Sequence, residues 1–297
     1  MANYQEIFKT DKVWYRWHVS YNLHNHTEYS DGEHSVEELI LEAKSKIITH
    51  LSISDHDNIM AYTHWNAVEI ARENKIHLIP AVEATVWFEN RDVWKPHILL
   101  YFREKLLENI NFLEDFNDTI WKARWKEFLE KRIQKYNKIY GLDLKIYDFD
   151  DKLWKAWYYW LGSRHFREIF EEKYNFSRQE IKQMTSWSDK AYIPPATDYN
   201  IVKQLKEKYD LKAVLAHPIC DFHTEEQIFQ IKRLILDLID DKFLDWLEIY
   251  HPEVLYRDYL KQFDVNLHTW GSDTHNKYWK ELTLRNLYLT DIFNKNK

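Results

Sequence analysis

The sequence predicts an α/β fold, and two observations support this prediction. Short apolar segments alternate with amphipathic helical segments, the pattern of βαβ units around a parallel sheet. The chain has 297 residues, 45% of them hydrophobic, which is enough for a well-buried core. Because seven segments are strand-like and helical segments lie between them, we expect a TIM-type barrel in a single domain over residues 1–297.

The predicted elements follow one another along the chain. The predicted strands are residues 19–26, 51–54, 77–82, 97–102, 213–216, 246–250 and 266–270. The predicted helices are residues 35–46, 61–73, 198–209 and 225–240. Ser35 and Glu38 have the spacing of a capping box, which favours a helix start at Ser35.

Residues 103–160 interrupt this alternation. The segment is long, helical in pattern and crowded with Trp and charged residues, and it ends in WKAWYYW. We interpret it as a helical insertion that forms a lid over one face of the barrel. Residues 185–196 are expected to form a loop that ends at Pro194 and Pro195.

Composition excludes several classes of protein. The formal net charge of −7 disfavours a broad nucleic-acid-binding face, which requires clustered Lys and Arg. Cys220 is the only cysteine, so the chain forms no intramolecular disulfide and no Cys-rich zinc module. The sequence shows no signal-peptide pattern and no run of about 20 apolar residues, so we expect a cytoplasmic protein without a membrane partner.

Histidines and carboxylates follow the predicted strands. His24 and His26 are two residues apart on a strand, so both side chains leave the same face and can reach one metal ion. Asp31 follows in an SDG turn, and His56 lies in SDHD after the next strand. The C-terminal ends of the strands are where α/β barrels build their active sites.

The same pattern continues along the chain. Further candidates at strand ends or in the adjacent loops are Glu83, His97, His217, Asp273 and His275. Three of the four glycines lie in the candidate segments, and we expect Gly32, Gly162 and Gly271 to provide turns with positive φ. Imidazole and carboxylate ligands suit Zn²⁺, Mn²⁺ or Fe²⁺. Nine candidates exceed the need of one ion, which favours a cluster of two or three ions that performs hydrolysis at phosphorus.

Six blocks, in this order, resemble the PHP (polymerase and histidinol phosphatase) family: HNHTEYSDG, SISDHDN, IPAVEAT, HILLYF, VLAHP and GSDTH. The resemblance runs from about Leu23 to His275 and leaves residues 103–160 outside. It implies a distorted (β/α)7 TIM-like barrel with three divalent ions, Mn²⁺, Fe²⁺ or Zn²⁺, at the C-terminal strand ends.

The resemblance also implies roles for individual residues. One ion would be held by His24, His26, Glu83 and Asp273, a second by Glu83, His97 and His217, and a third by Asp31, His56 and His275. Asp31 and His56 would also belong to the catalytic residues, together with Arg164 and His165 in GSRHF. That segment resembles a phosphate-contacting Arg-Pro-His-Phe segment of the family but lacks its proline. We expect Asp55 and Asp57 to orient imidazoles by hydrogen bonds.

The activity implied is a phosphoesterase that hydrolyses a phosphomonoester of a small metabolite or nucleotide through a metal-activated hydroxide. A second hypothesis is an exonuclease that trims short oligonucleotides, with bases stacked on the Trp-rich insertion. A third is a non-catalytic metal-binding module. A metal-dependent amidohydrolase also uses a His-X-His strand, but the SDG turn and the AHP block fit the PHP pattern better. The sequence leaves the substrate, the metal, the oligomeric state and a substrate contact by His251 open.

Overall fold

The fold is described from a computed structural model. The described residues are 20–88, 96–121, 125–149, 163–185, 196–219, 224–250, 260–263, 267–270 and 273. Several predicted features lie outside them: His275, Gly162, Gly271, Cys220, His251 and the WKAWYYW segment. Arg164 and His165 are described only as part of a helix backbone.

The strands form two sheets. They are β1 (Tyr21–Asn22), β2 (His50–Leu51), β3 (His77–Leu78), β4 (Ala81–Trp87), β5 (His97–Tyr101), β6 (Thr197–Asp198), β7 (Lys212–Leu215), β8 (Trp246–Tyr250) and β9 (Leu267–Trp270). The first sheet has the order β1-β2-β3 and is parallel. The second has the order β6-β4-β5-β7-β8-β9 and is mixed, so the predicted α/β class is confirmed.

The predicted TIM-like barrel is only partly observed. Two backbone contacts join the sheets: an isolated parallel bridge between His56 and Glu83, and a 2.9 Å hydrogen bond from Asp273 N to His24 O. Within the described residues the strands do not close into a continuous ring. The reason is that the strands of the first sheet are only two residues long. Beyond these strands, single backbone hydrogen bonds join the neighbouring segments, and they do not form a continuous ladder.

Strand β5 runs against its neighbours, contrary to the parallel sheet that we predicted. It pairs antiparallel with both β4 and β7. Its first residue, His97, therefore lies at the edge where β4 and β7 end. This reversal brings a histidine from the start of a strand to the same edge as the residues that follow other strands.

Most of the helices in the described residues connect consecutive strands, and four of them follow one another between β5 and β6. They are α1 (Val36–Ser45), α2 (Met60–Thr63), α3 (Ala67–Glu73), α4 (Ile110–Phe116), α5 (Trp125–Tyr140), α6 (Ser163–Lys173), α7 (Arg178–Met184), α8 (Tyr199–Tyr209) and α9 (Glu225–Asp240). The predicted capping box of Ser35 and Glu38 is confirmed at α1. Residues 225–240, predicted as one helix, form α9.

Two predicted elements are each divided in the structure. The predicted helix over residues 61–73 breaks at Asn66, whose φ of 49° is left-handed and ends helical geometry. The predicted strand over residues 77–82 becomes β3 and β4 in different sheets. Pro80 lies between them and has no backbone N–H to donate to a ladder, so the strand cannot continue through it.

The apolar side chains form separate cores. The main core packs the strands against the helices, and residues of the 106–120 segment, Leu106, Phe112, Phe116 and Ile120, belong to it. A smaller cluster contains Ala81 and Trp246. A strand alternates its side chains between two faces, so Glu83 and Glu248, each two residues further on, share that cluster's face.

A further core belongs to the helical region. It is lined by Leu129, Ile133, Tyr136, Leu144, Phe149, Phe166, Ile169, Phe170, Ile181 and Met184. Arg132 is fully buried in this region, and its guanidinium lies 4.1 Å from the centroid of the Phe166 ring. The helical pattern predicted for residues 103–160 is therefore observed where the segment is described, and helices α6 and α7 pack into the same core.

None of the described helices combines the length and the apolar character needed to cross a bilayer.

Candidate metal centre

Glu83 is at the centre of the site. It lies inside strand β4, not after a strand as predicted, and its side chain is fully buried. Its Oε2 atom is 3.2 Å from His24 Nε2, 3.1 Å from His26 Nε2 and 3.1 Å from His56 Nδ1. Within the described part of the chain, Oε2 accepts no hydrogen bond. One carboxylate oxygen thus faces three imidazole nitrogens.

The second oxygen of Glu83 contacts two more histidines. Oε1 is 2.9 Å from His97 Nδ1 and 3.1 Å from His217 Nε2. His97 reaches it from the start of the antiparallel strand β5, and His217 follows β7. A carboxylate with a separate set of imidazoles at each oxygen has the geometry of a bridge between two cations.

Two aspartates complete the described cluster. Asp273 Oδ1 is 2.9 Å from His26 Nε2 and 3.3 Å from His24 Nε2. Asp31 Oδ1 is 3.6 Å from His56 Nε2 and 3.9 Å from His26 Nδ1. Both aspartate side chains are partly exposed, at 17% for Asp273 and 27% for Asp31, so the cluster opens to solvent on their side.

The donor atoms fit divalent ions. Three overlapping groups have their donor atoms within 4.8 Å of one another, and they are His24, His26, Glu83 and Asp273; His26, Asp31 and His56; and His56, Glu83 and His97. His24 Nε2 and His26 Nε2 also face each other at 3.2 Å. A shared cation at such a point accepts both lone pairs, whereas without one a proton must separate the two nitrogens.

Ionisation of the cluster is strongly shifted. Burial lowers the pKa of His24, but the carboxylates of Glu83, Glu248 and Asp273 outweigh it and raise that pKa well above its ordinary value. Burial raises the pKa of Glu83, but the nearby imidazoles, His24 foremost, bring it well below its ordinary value. Burial lowers the pKa of His56 to about 3. A cation that binds here therefore competes with a proton at His24.

The backbone of the site is strained at three residues. Asp57, His217 and Asp273 have φ angles of 55°, 26° and 50°, in the left-handed region that side chains disfavour. Such conformations cost energy and persist only where surrounding contacts hold them. Three of the eight non-glycine residues with positive φ in the described chain lie at this cluster.

Gly32 is required, but for a reason other than the one we predicted. Its φ is not positive. A Cβ at this position would lie 2.5 Å from the carbonyl carbon and oxygen of His26 and 2.7 Å from Thr27 N. The turn that carries Asp31 therefore passes too close to the His26 backbone for any side chain.

Asp55 orients its imidazole through an intermediate. Its carboxylate accepts hydrogen bonds from Thr27 N at 2.7 Å, from Thr27 Oγ1 at 2.6 Å and from Ser30 Oγ at 2.7 Å. Ser30 Oγ in turn lies 3.3 Å from His26 Nδ1. The expected orienting role therefore runs through the Ser30 hydroxyl.

Asp57 supports the strand that carries Glu83. Its Oδ1 atom accepts a hydrogen bond from Thr85 N at 3.0 Å, and its own backbone N donates to Glu83 O at 2.9 Å. These bonds tie the segment after β2 to β4. Asp57 thereby fixes the position of the central carboxylate.

The sequence analysis missed Glu248. This fully buried carboxylate in β8 lies 3.2 Å from His24 Nδ1 through both oxygens, and its Oε2 accepts a 2.8 Å hydrogen bond from His217 N. One signal could have identified it, because a charged residue interrupts the apolar strand WLEIY.

Comparisons with known proteins identify the family and the fold of the chain. A model of the PHP domain family matches residues 22–256. A candidate metal-dependent phosphoesterase from Bifidobacterium adolescentis has a TM-score of 0.65 at 20% identity, over 86% of this chain and 87% of that chain. An amidohydrolase from Chromobacterium violaceum, solved with bound sulfate and no metal, has a TM-score of 0.61 at 18% identity, over 87% of this chain and 88% of that chain. Both likenesses show a shared fold. No curated protein matches the chain significantly.

Proposed function

The chain belongs to the PHP domain family, and on that premise we propose that it is a metal-dependent phosphoesterase. Its substrate is a phosphomonoester of a small metabolite or a nucleotide. The observation that carries the proposal is the position of Glu83, whose two oxygens face five imidazoles in a buried cluster. The structural neighbour from Bifidobacterium adolescentis is named as a metal-dependent phosphoesterase, which is the same class of enzyme.

The proposal includes three divalent ions, with Mn²⁺, Fe²⁺ and Zn²⁺ as the candidates. Their ligands would be His24, His26, Glu83 and Asp273 for the first, Glu83, His97 and His217 for the second, and Asp31, His56 and His275 for the third. The described members of the three sets lie in one overlapping cluster, with Glu83 common to the first two. His275 lies outside the described residues.

Bound ions would supply Lewis acidity and lower the pKa of a water molecule so that it can attack phosphorus near neutral pH. The protein contributes position and charge. Glu83 gathers three imidazoles around Oε2 and two around Oε1, and its buried carboxylate would offset the positive charge of bound ions. The partly exposed Asp31 and Asp273 border the open side from which a phosphate would enter.

Substrate contacts are assigned to helix α6 and the helical region. Arg164 and His165 lie in the first turn of α6, and we assign them to the binding of the substrate phosphate and to proton donation to the leaving oxygen. Residues 103–160 would act as the lid within a single domain. We also assign a distorted (β/α)7 barrel to the complete chain, since one bridge and one hydrogen bond already join the two sheets at this edge.

The test is phosphate release by the purified protein. Metal-free protein is supplied with Mn²⁺, Fe²⁺ or Zn²⁺ and given a panel of phosphomonoesters together with a 5′-phosphorylated oligonucleotide. We expect metal-dependent release from at least one monoester, and loss of that release in His24→Ala and in Asp273→Ala. Full activity in both variants would refute the site. Turnover of the oligonucleotide alone would replace the phosphatase with the nuclease.

A further inference from the structure

We propose that Glu248 is a positioning residue that fixes the orientation and tautomer of the His24 ring and the backbone of His217, and so couples two of the metal sites. This inference rests on the proposed function for the identity of the ligands. Glu248 lies in the middle of β8, on the sheet face that also carries Glu83. Nothing in the local pattern WLEIY requires a carboxylate there, since the neighbouring positions are apolar.

The burial of Glu248 is the first step of the argument. Its side chain is fully buried, and an ionised carboxylate in such a place is stable only if donors replace its lost hydration. The donors found are the imidazole of His24 and the main-chain nitrogen of His217. Both belong to residues that we assign as metal ligands. The carboxylate is therefore directed at the ligand set.

The contact with His24 determines which ring nitrogen can bind a metal. Nδ1 lies 3.2 Å from both oxygens of Glu248, and a carboxylate can only accept, so Nδ1 must carry a proton. Nε2 then presents its lone pair on the opposite side of the ring. That side faces Glu83 Oε2 and Asp273 Oδ1, at 3.2 and 3.3 Å. A carboxylate behind a histidine ligand is a common way to fix its tautomer and orientation.

The contact with His217 acts through the backbone. His217 has a φ of 26°, which a residue with a side chain adopts only under constraint. Its N–H donates to Glu248 Oε2 at 2.8 Å, a charge-assisted hydrogen bond that stabilises this conformation. The same conformation places His217 Nε2 3.1 Å from Glu83 Oε1. One carboxylate thus holds a ligand on each side of Glu83.

The test uses Glu248→Gln, which keeps the size and the packing of the side chain. A Gln oxygen in the Oε2 position can still accept from His217 N, but the NH₂ group that replaces Oε1 faces the protonated Nδ1 of His24 donor to donor, so one of the two acceptors of that proton is lost. The variant should favour the other tautomer without a cavity. We expect the Kd for Mn²⁺, measured by titration of metal-free protein, to rise about 10- to 100-fold, with an unfolding midpoint close to that of the wild type.

Asp245→Asn is the matched control. Asp245 lies one residue before β8 and is also buried, and it accepts a 3.0 Å hydrogen bond from Ala213 N on the neighbouring strand. It stands at the start of β8, away from the edge that carries the cluster. A loss caused only by removal of a buried carboxylate would appear equally in both variants. We expect wild-type Mn²⁺ affinity in Asp245→Asn.

A second readout is independent of metal and of activity. In ¹⁵N-histidine-labelled, metal-free protein, we expect a slowly exchanging proton on His24 Nδ1. It should persist in Asp245→Asn and exchange markedly faster in Glu248→Gln, which lacks the carboxylate that accepts it. An unchanged Mn²⁺ Kd in Glu248→Gln, or an equal rise in both variants, would overturn the inference. If the wild type binds no divalent ion, the proposed function fails, and this proton alone decides whether Glu248 positions His24.

Discussion

Both edges of the sheets carry histidines, yet the pKa values of His50 at one edge and of His24 at the other shift in opposite directions. At the edge where β2 and β3 begin, His50 and His77 are the first residues of neighbouring strands, with ring centroids 5.1 Å apart. Burial, and then the adjacent His77, lower the pKa of His50 to about 4. At the other edge, carboxylates overcome burial and raise the pKa of His24.

The difference shows that the surroundings assign the role, not the residue type. A half-buried imidazole without a nearby carboxylate, such as that of His50, stays neutral and packs. A buried imidazole beside Glu83 and Asp273 becomes part of a polar cluster that only a proton or a cation can neutralise. The structure therefore distinguishes histidines that pack from histidines of the carboxylate cluster by what lies within about 3–4 Å of the ring.

The largest expected effect on activity comes from the same substitution, His to Ala, made at each of the two edges. His26→Ala removes a ring that contacts both Glu83 and Asp273. Metal-dependent phosphate release should therefore fall more than about 100-fold, which exceeds the loss usually seen when a residue that only supports a metal ligand is removed. His77→Ala should keep activity within about twofold because it leaves the cluster intact. Steady-state kinetics at saturating Mn²⁺ measure both. Similar losses in the two variants would contradict the division between the edges.

Metal binding should raise the free energy of unfolding through the edge of the sheets that carries the Glu83 cluster, and not through the edge that carries His50 and His77. A ligand present at 100 times its Kd adds about 2.7 kcal/mol to the free energy of unfolding. We expect a stabilisation of this size for wild type and for His77→Ala, and a clearly smaller one for Asp273→Ala, which removes one ligand of the first ion. Thermal unfolding with and without Mn²⁺, in the presence or absence of a chelator, measures it. Equal stabilisation of Asp273→Ala would place the metal elsewhere.

Gly32→Ala tests how tightly the site edge is packed. The new Cβ would lie 2.5 Å from the His26 backbone, so the turn must shift, at a cost of about 1–3 kcal/mol in stability together with weaker Mn²⁺ binding. Gly141→Ala is the control, since Gly141 has a φ of 65° with nothing within 4 Å of its Cβ. It should lose stability without a change in Mn²⁺ Kd. Chemical denaturation and metal titration distinguish the two.

The smallest expected effect is a pH dependence from the opposite edge. The pKa of His50 is about 4 in the folded protein and 6.5 ordinarily, so between these values the unfolded chain binds the extra proton. The contribution of His50 to the free energy of unfolding is therefore fully present above pH 6.5 and is lost as the pH falls toward 4. In metal-free protein, His50→Gln should reduce this loss by about 1–2 kcal/mol. Urea unfolding at several pH values tests this prediction. If the free energy of unfolding changed with pH in the same way in the wild type and in His50→Gln, the prediction would be contradicted.

Much of the site could be predicted because its signals are local. His24 and His26 share a face because extended chain alternates its side chains, and the structure shows their Nε2 atoms 3.2 Å apart. The ligand blocks fall near strand ends, which a parallel arrangement brings to one edge. The start of α1 was also predictable, since a capping box uses only contacts three residues apart.

Other features depend on contacts that local patterns do not contain. Whether β5 runs parallel or antiparallel is decided by its partners β4 and β7, so the position of His97 at the site edge could not be derived from its place at a strand start. The reason for Gly32 is a backbone 6 residues away. The division at Pro80 was visible as a residue, but its consequence, two strands in different sheets, was not.

The sequence by itself determined the α/β class, the residue types of the site and their order, because these depend on short-range periodicity and on side-chain chemistry. Only the tertiary structure decided that Glu83 lies between two sets of imidazoles, and that Glu248, 224 residues from His24, supports that ring. The physical reason is distance along the chain. Contacts between remote residues are set by how strands pair and pack, and no local pattern encodes that pairing.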